Sequence, residues 1–179
     1  LSLTNDPEIY WFDTGLLAMA SFDGLQVSPN GGCSWDFANE TLSSLIMYDL
    51  AGDPTNPARA LAMSSSGNLP NRLYETTDNG VTWTATPAPI AEPGFITESM
   101  AIAPSQTNRI FVSGSHLASA EAPRRPTVYR TDDGGSTWTE FPVTLPEGNR
   151  TLFALAVSPT DPDIVFLRTN AETATDNPE

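Results

Sequence analysis

Three octapeptides decide the fold of this chain: SPNGGCSW at 28–35, TTDNGVTW at 76–83 and TDDGGSTW at 131–138. Each has the form Ser/Thr-x-Asp/Asn-x-Gly-x-Ser/Thr-Trp, and the tryptophans that end them are 48 and 55 residues apart. A motif that recurs at an interval of about 50 residues is typical of a chain built from stacked structural repeats. The sequence therefore predicts a repeat architecture rather than an irregular domain.

A second pattern recurs in the same phase as the octapeptides. AIAPSQTNRIFVSG at 101–114 is similar to AVSPTDPDIVFLRT at 156–169, and looser copies occupy 49–64 and 1–12. Each copy has an apolar run, a polar turn with proline, and a second apolar run, which predicts a β-hairpin. With the octapeptides, each repeat has four strands, which we place at 44–50, 59–66, 72–77 and 82–86, and at 97–103, 109–115, 127–131 and 137–142.

On these motifs, the chain resembles the Asp-box (BNR-repeat) β-propellers of the sialidase/sortilin-like superfamily. These include sialidases, sortilin-type receptor domains, xyloglucan-acting glycoside hydrolases and a photosystem assembly factor. The resemblance implies an all-β propeller of four-stranded antiparallel blades, and this chain has room for about three and a half blades. The blade-like units are about 1–41, 42–90, 91–145 and, incomplete, 146–179.

The octapeptides are expected to have a structural role, at the turn between the third and fourth strands. The glycines reach backbone conformations that other residues adopt only with strain, and the Asp or Asn side chains accept hydrogen bonds from turn amides. The tryptophans are expected to occupy equivalent buried sites. The residues concerned are Ser28, Asn30, Gly32, Trp35, Thr76, Asp78, Gly80, Trp83, Thr131, Asp133, Gly135 and Trp138.

Composition and charge exclude several classes of function. The chain has 22 acidic residues against 8 basic ones, all arginine, and a net charge of −14. This charge opposes binding to nucleic-acid phosphates or to an anionic membrane surface, and no apolar run is long enough for a membrane span. One cysteine, Cys33, makes no internal disulfide, and one histidine, His116, excludes a two-histidine metal site. We expect no cofactor and no metal.

Candidate functional residues lie where propellers usually bind ligands, on the connections between strands two and three and between blades. The 116–126 loop carries His116, Arg124 and Arg125, and an adjacent arginine pair can hold a carboxylate. The alternative is a solvated loop whose arginines offset nearby acids. Asp49 and Glu98 are the candidate acid or base groups. Asp49 is aligned with Met100 and Ala154 of the sibling copies, and its alternative role is to bond an adjacent turn.

Two functions of different classes fit this sequence. The favoured one is a non-catalytic, exported propeller, secreted or periplasmic, that binds a protein or a glycan on its loop face. A receptor or assembly factor with a protein partner is one form of it. The alternative is a glycoside hydrolase of the sialidase or xyloglucan-acting type. A xyloglucan-type site needs two carboxylates across a groove, whereas Arg59, Arg109 and Arg168 form no recognisable sialidase triad.

The number of repeats leads to an expectation about completeness. Closed propellers typically have 4–8 blades, which is more than the repeats of this chain supply. The segment AETATDNPE at 171–179 stands where a third strand of the last unit is expected. We therefore expect the remainder of a longer chain, or a second copy, to close the ring.

Overall fold

Strands dominate the structure, a computed structural model that describes residues 7–120 and 122–171. In the described part the elements are a short 3-10 turn at Leu42–Ser44 and fourteen strands: β1 Glu8–Trp11, β2 Leu17–Ser21, β3 Gly24–Ser28, β4 Asp36–Phe37, β5 Met47–Asp53, β6 Asn56–Ser64, β7 Leu73–Thr76, β8 Thr84–Ala85, β9 Phe95–Ile102, β10 Ile110–His116, β11 Arg125–Thr131, β12 Thr139–Pro142, β13 Asn149–Val157 and β14 Val165–Ala171. Among the described residues no helix is long and apolar enough to cross a membrane.

Among the described residues, each strand pairs only with strands next to it in the chain. Sheets β1–β4, β5–β8 and β9–β12 are four-stranded and antiparallel, and β13–β14 is a hairpin. The first strands β1, β5, β9 and β13 pack side by side, so each sheet is one blade and its first strand is innermost. The all-β propeller expectation, with about three and a half blades in this chain, is confirmed. Residues 172–179, where a further strand was expected, lie outside the described residues.

Three strands begin two or three residues later than predicted, for a physical reason. The first strand of the second blade begins at Met47 rather than at 44, because Leu42–Ser44 turn as a 3-10 helix. The fourth strands begin at Thr84 and Thr139, after the octapeptides rather than inside them. Side-chain hydrogen bonds hold the last residues of each octapeptide in the turn, which delays the strand.

Apolar side chains fill the spaces between blades rather than the interior of any one blade. One cluster joins blades one and two through Phe12, Leu25, Leu50 and Trp83. A second joins blades two and three, and a third joins blade three to the β13–β14 hairpin. Each buried large side chain contributes about 1.5–3 kcal/mol. Each of these three clusters of described residues has members from two neighbouring units, so the blades stabilise one another.

A buried arginine also connects blades two and three. The Arg59 guanidinium donates to Asp53 at 2.8 Å and to the Thr107 carbonyl of the next blade at 3.0 Å, and it pairs with Glu75. Arg109 stands at the same place in blade three, where it pairs with Asp132 and with Asp163 of the next hairpin. The two arginines are therefore bound to carboxylates of the chain itself.

The octapeptide tryptophans are not equivalent. Trp83 is buried, and its indole N–H donates to the Gly80 carbonyl at 3.0 Å. Its loop lies against the preceding blade so closely that a Cβ at Gly80 would stand 2.5 Å from the Phe12 ring. Trp35 and Trp138 are only half-buried, and the Trp138 indole nitrogen has no partner in the described structure. The expectation of three equivalent buried sites is therefore wrong.

Truncating two of these tryptophans should reveal this difference. Trp83→Ala is expected to lower the free energy of unfolding by about 3–5 kcal/mol, because it leaves a cavity between two blades. Trp35→Ala is the matched control: it removes a half-exposed ring and should lower the free energy of unfolding markedly less. Urea unfolding followed by circular dichroism measures both values. Equal losses would show that burial between blades does not set the contribution of these rings.

Candidate functional site

β-Bulges in β5 and β9 shape the inner surface of the blades. In β5 the pairing passes from Met47 to Asp49, and in β9 it passes from Thr97 to Ser99. Tyr48 and Glu98 are thus the unpaired, extra residues of their strands. A bulge bends its strand and re-aims side chains, and bulges are frequent beside functional sites.

These residues line a cleft of about 240 Å³ where the inner strands of four blades meet. We call it the inner cleft, and it is lined by Glu8, Tyr48, Asp49, Glu98, Ser99, Phe153 and Arg168. Both candidate acid or base residues, Asp49 and Glu98, are therefore in one cleft. The Arg168 guanidinium lies over the Phe153 ring, 4.8 Å from its centroid.

Asp49 connects two blades across the inner cleft. One carboxylate oxygen accepts a hydrogen bond from the Met100 N–H of the next blade at 2.6 Å, and the other accepts from the Leu50 N–H at 2.8 Å. Burial raises the pKa of Asp49 to about 6, and nearby Glu8 adds to this, whereas the two N–H groups act in the opposite direction. Asp49 bonds the adjacent blade, rather than the adjacent turn that the alternative role required.

The next blade performs the same connection with a neutral group. Ser99 is opposite Ser113 in its hairpin, as Asp49 is opposite Met63, and the Ser99 hydroxyl accepts the Ala154 N–H of the following blade at 2.7 Å. Ser99, and not Met100, is therefore the counterpart of Asp49. The Ser113 hydroxyl accepts the same N–H at 2.9 Å, so two neutral hydroxyls make this connection in blade three, and a negative charge at position 49 is not needed to join the blades.

Glu98 is held by the neighbouring loop. Its side chain is 9% exposed and accepts a hydrogen bond from the Arg124 guanidinium at 3.2 Å. Burial raises the pKa of Glu98, and the Arg124 charge opposes this rise. The structure thus joins two candidates that the sequence placed in different groups, one on a strand and one on the 116–126 loop.

His116 and Arg125 belong to a separate cluster at the end of blade three. Arg125 pairs with Glu140, and the His116 ring lies 3.1 Å from the Tyr129 hydroxyl and 3.4 Å from Glu140. Burial, then the Arg125 charge, lowers the pKa of His116, while burial and Glu140 raise the pKa of Tyr129 to about 12. Arg124 and Arg125 therefore bind different glutamates of the chain and do not form a joint carboxylate site.

The octapeptide loops lie on the opposite side of the blades, and each contains the same pattern of internal hydrogen bonds. Thr76 donates to Asp78 at 2.8 Å and accepts from the Gly80 N–H at 2.9 Å, while both carboxylate oxygens of Asp78 accept from Thr82. The loop around Asp133 repeats this pattern. These bonds lower the pKa of Asp78, and they lower that of Asp133 to about 2.

Asn30 makes the same hydrogen bonds in the first octapeptide loop, except that the direction of one of them is reversed. Its side-chain oxygen accepts from Ser28 and from the Ser34 N–H at 3.0 Å, as a carboxylate oxygen does in the other loops. Its amide nitrogen donates to the Ser34 hydroxyl at 2.9 Å, where an aspartate would accept. The loop therefore needs a forked polar side chain, not a negative charge, and the carboxylates of its siblings serve the turn.

Sequence reasoning did not select five residues of the inner cleft: Glu8, Tyr48, Ser99, Phe153 and Arg168. No local pattern separates them from other strand residues. The bulges at Tyr48 and Glu98 depend on pairing with the second strand of each hairpin, and the hairpin pattern alone does not specify that pairing.

The fold and the geometry of its loops agree with comparisons to known proteins. Residues 23–178 match the profile of Sortilin-Vps10, described as "Sortilin, neurotensin receptor 3". The chain therefore belongs to this family of Asp-box β-propellers. No curated protein sequence is similar enough to the chain to count as a match.

Solved structures share the fold at low sequence identity. An ancestral GH74 enzyme superposes with a TM-score of 0.62 and 16% identity over 85% of this chain and 20% of that one. The GH74 xyloglucanase from Xanthomonas campestris superposes with a TM-score of 0.58 and 18% identity, over 90% of this chain and 26% of that one. A variant of the NanB sialidase from Streptococcus pneumoniae superposes with a TM-score of 0.50 and 15% identity, over 78% of this chain and 21% of that one. This chain thus spans about a quarter or less of each of these proteins.

The raised pKa of Asp49 predicts how stability changes with pH. Between about pH 4 and pH 6 the unfolded chain loses the Asp49 proton while the folded chain retains it, so the charge lowers folded stability as the pH rises through this window. Asp49→Ser places at this position the residue that blade three has at Ser99. Its free energy of unfolding is expected to exceed that of the wild type by about 1–3 kcal/mol at neutral pH, and by much less near pH 4.

Urea unfolding of both proteins at about pH 4 and pH 7 measures this difference. Asp49→Asn is the isosteric control, since it removes the charge and keeps a hydrogen-bond acceptor toward the Met100 N–H. Both variants should have a shallower pH dependence than the wild type. A wild-type slope retained in both variants would show that Asp49 does not titrate in this window.

The network of the octapeptide loops predicts a ranking of substitutions at Asp78. Asp78→Ala is expected to lower the free energy of unfolding by about 1 kcal/mol, because the turn amides lose their acceptor. Asp78→Asn should cost less, since Asn30 makes the equivalent bonds in the first loop. Thermal unfolding at neutral pH ranks them, and equal losses would mean that the carboxylate charge is essential to the turn.

Proposed function

We propose that this chain is part of a non-catalytic, exported propeller that binds a protein or glycan ligand on the face where the inner cleft opens. Membership of the Sortilin-Vps10 family supports a propeller of this type. Secretion or export to the periplasm is part of the same proposal, and it rests on the resemblance to Asp-box propellers and on the composition rich in serine, threonine and asparagine.

One observation carries the non-catalytic part of this proposal. Both candidate acid or base groups of the inner cleft already serve the chain: Asp49 accepts two backbone N–H groups, and Glu98 accepts the Arg124 guanidinium. A general acid or base needs a lone pair or a proton directed at the substrate. These internal bonds instead hold the cleft in one shape, which favours binding without chemistry.

The alternative function, glycoside hydrolysis, also has a specific observation in its favour. Two carboxyl groups share the inner cleft with the rings of Tyr48 and Phe153, and the pKa of Asp49 is raised to about 6. A raised pKa keeps a carboxylic acid protonated for proton donation, and paired carboxyls are the requirement of most glycoside hydrolases.

Hydrolysis assays separate the two functions. The chain is incubated with a fluorogenic sialoside and with xyloglucan oligosaccharides between about pH 4 and pH 7, and Asp49→Asn and Glu98→Gln serve as matched variants. We expect no product above the level of these variants. Product release that both substitutions abolish, in variants that remain folded by circular dichroism, would establish the hydrolase and overturn the proposal.

A further inference from the structure

We propose that the ligand is a partner protein, which docks on the face beside the inner cleft through a segment carrying both apolar and basic side chains. This inference rests on the proposed binding function and decides between its two kinds of ligand. Four large apolar side chains on this face are 43–54% exposed. We call them the apolar arc: Phe22, Ile46, Leu69 and Leu117.

The strand order places all four at the same end of the blades. Phe22 connects β2 to β3, Leu69 lies between β6 and β7, and Leu117 lies between β10 and β11. In an antiparallel blade these connections share an end with the links between blades, where Ile46 lies. We call this end the loop face. The octapeptides join third and fourth strands and therefore lie at the other end.

Backbone hydrogen bonds tie the connections of the loop face to one another. The Ser65 N–H donates to the Ile46 carbonyl at 3.0 Å, the Gly94 N–H to the Gly67 carbonyl at 3.0 Å, and the Leu117 N–H to the Gly94 carbonyl at 2.7 Å. Loops from two blades and the links between them thus form one continuous surface. Three members of the arc stand on it or beside it.

Two side chains fix this surface further. Buried Asn71 donates to the Ser66 and Phe95 carbonyls at 3.0 and 2.6 Å and accepts from the Ser66 N–H at 2.7 Å. The Phe22 ring lies 6.2 Å from Tyr48, a residue of the inner cleft. The arc therefore adjoins the cleft, and its loops are held before a partner arrives, which lowers the entropic cost of binding.

The charges of the loop face favour a partner with basic side chains. Three of its arginines are engaged within the chain: Arg72 donates to backbone carbonyls, and Arg124 and Arg125 pair with glutamates. Four exposed carboxylates, in contrast, take part in no ion pair of the described structure: Asp23, Glu40, Glu92 and Glu147. With a net charge of −14, the face attracts cations and repels anions.

The apolar arc favours a protein over a glycan. Three of its four members are aliphatic, and burial of aliphatic surface is favourable against apolar side chains rather than against the hydroxyl groups of a sugar. Exposed apolar patches rimmed by polar residues are typical of protein–protein contacts. A partner segment that packs apolar side chains on the arc and places arginine or lysine opposite the four carboxylates matches both the apolar surface and the charge of this face.

A binding experiment with defined probes tests this inference. The probes are fluorescein-labelled peptides of repeating Arg-Leu, Glu-Leu and Arg-Ser units, and a labelled xyloglucan oligosaccharide, followed by fluorescence anisotropy with the intact 179-residue chain. We expect the Arg-Leu peptide to bind most tightly and to bind less tightly as salt is raised. The double variant Leu69→Ser/Leu117→Ser should weaken this binding at least about tenfold.

Val81→Ser is the matched control, since Val81 is 70% exposed but lies in an octapeptide at the opposite end of the blades. It should leave binding unchanged, and all variants are surface changes that should fold normally. Equal binding of the Glu-Leu peptide, or equal weakening by Val81→Ser, would overturn the inference. Oligosaccharide binding without peptide binding would overturn it and leave the proposed function standing, whereas oligosaccharide hydrolysis would overturn the proposed function itself.

Discussion

A four-stranded blade cannot cover both of its own faces, and the rest of this structure follows from that constraint. Apolar side chains of each blade are buried only by the next one, as Trp83 and Phe12 show where blades one and two meet. Polar groups follow the same rule: Arg59 reaches the Thr107 carbonyl, and Asp49 and Ser99 bind N–H groups of the following blade. Stability therefore resides in the contacts between blades, and the surfaces left for ligands are the ends of the blades.

The two ends are built differently, because different connections form them. At one end the octapeptides close on themselves: the forked side chain of Asp78, Asp133 or Asn30 binds its own turn. At the loop face the connections vary in length and sequence from blade to blade and bind one another instead. An end made of similar turns that bind themselves offers little specificity, whereas an end made of unlike loops on a rigid scaffold is suited to recognition.

Within this repeat, a difference between sibling positions is more informative than either residue alone. The hydroxyls of Ser99 and Ser113 bond the neighbouring blade without a charge, so the partly buried negative charge of Asp49 is not needed to join the blades. A buried charge lowers stability unless it is fully paired. Asp49 lines the same cleft as Glu98, and its bond to the next blade helps to hold that cleft in shape.

The sequence by itself determined the fold class, the four-stranded unit and the turn role of the octapeptides, because these depend on local patterns: alternating apolar runs, turn residues and a fixed repeat interval. It also singled out Asp49 and Glu98, but not that they share a cleft. Only the tertiary structure decided this, together with the unequal burial of Trp83 and Trp35 and the joining of Arg124 to Glu98. Bulges, loop contacts and packing between blades bring together residues far apart in the chain, and no local pattern specifies such distances.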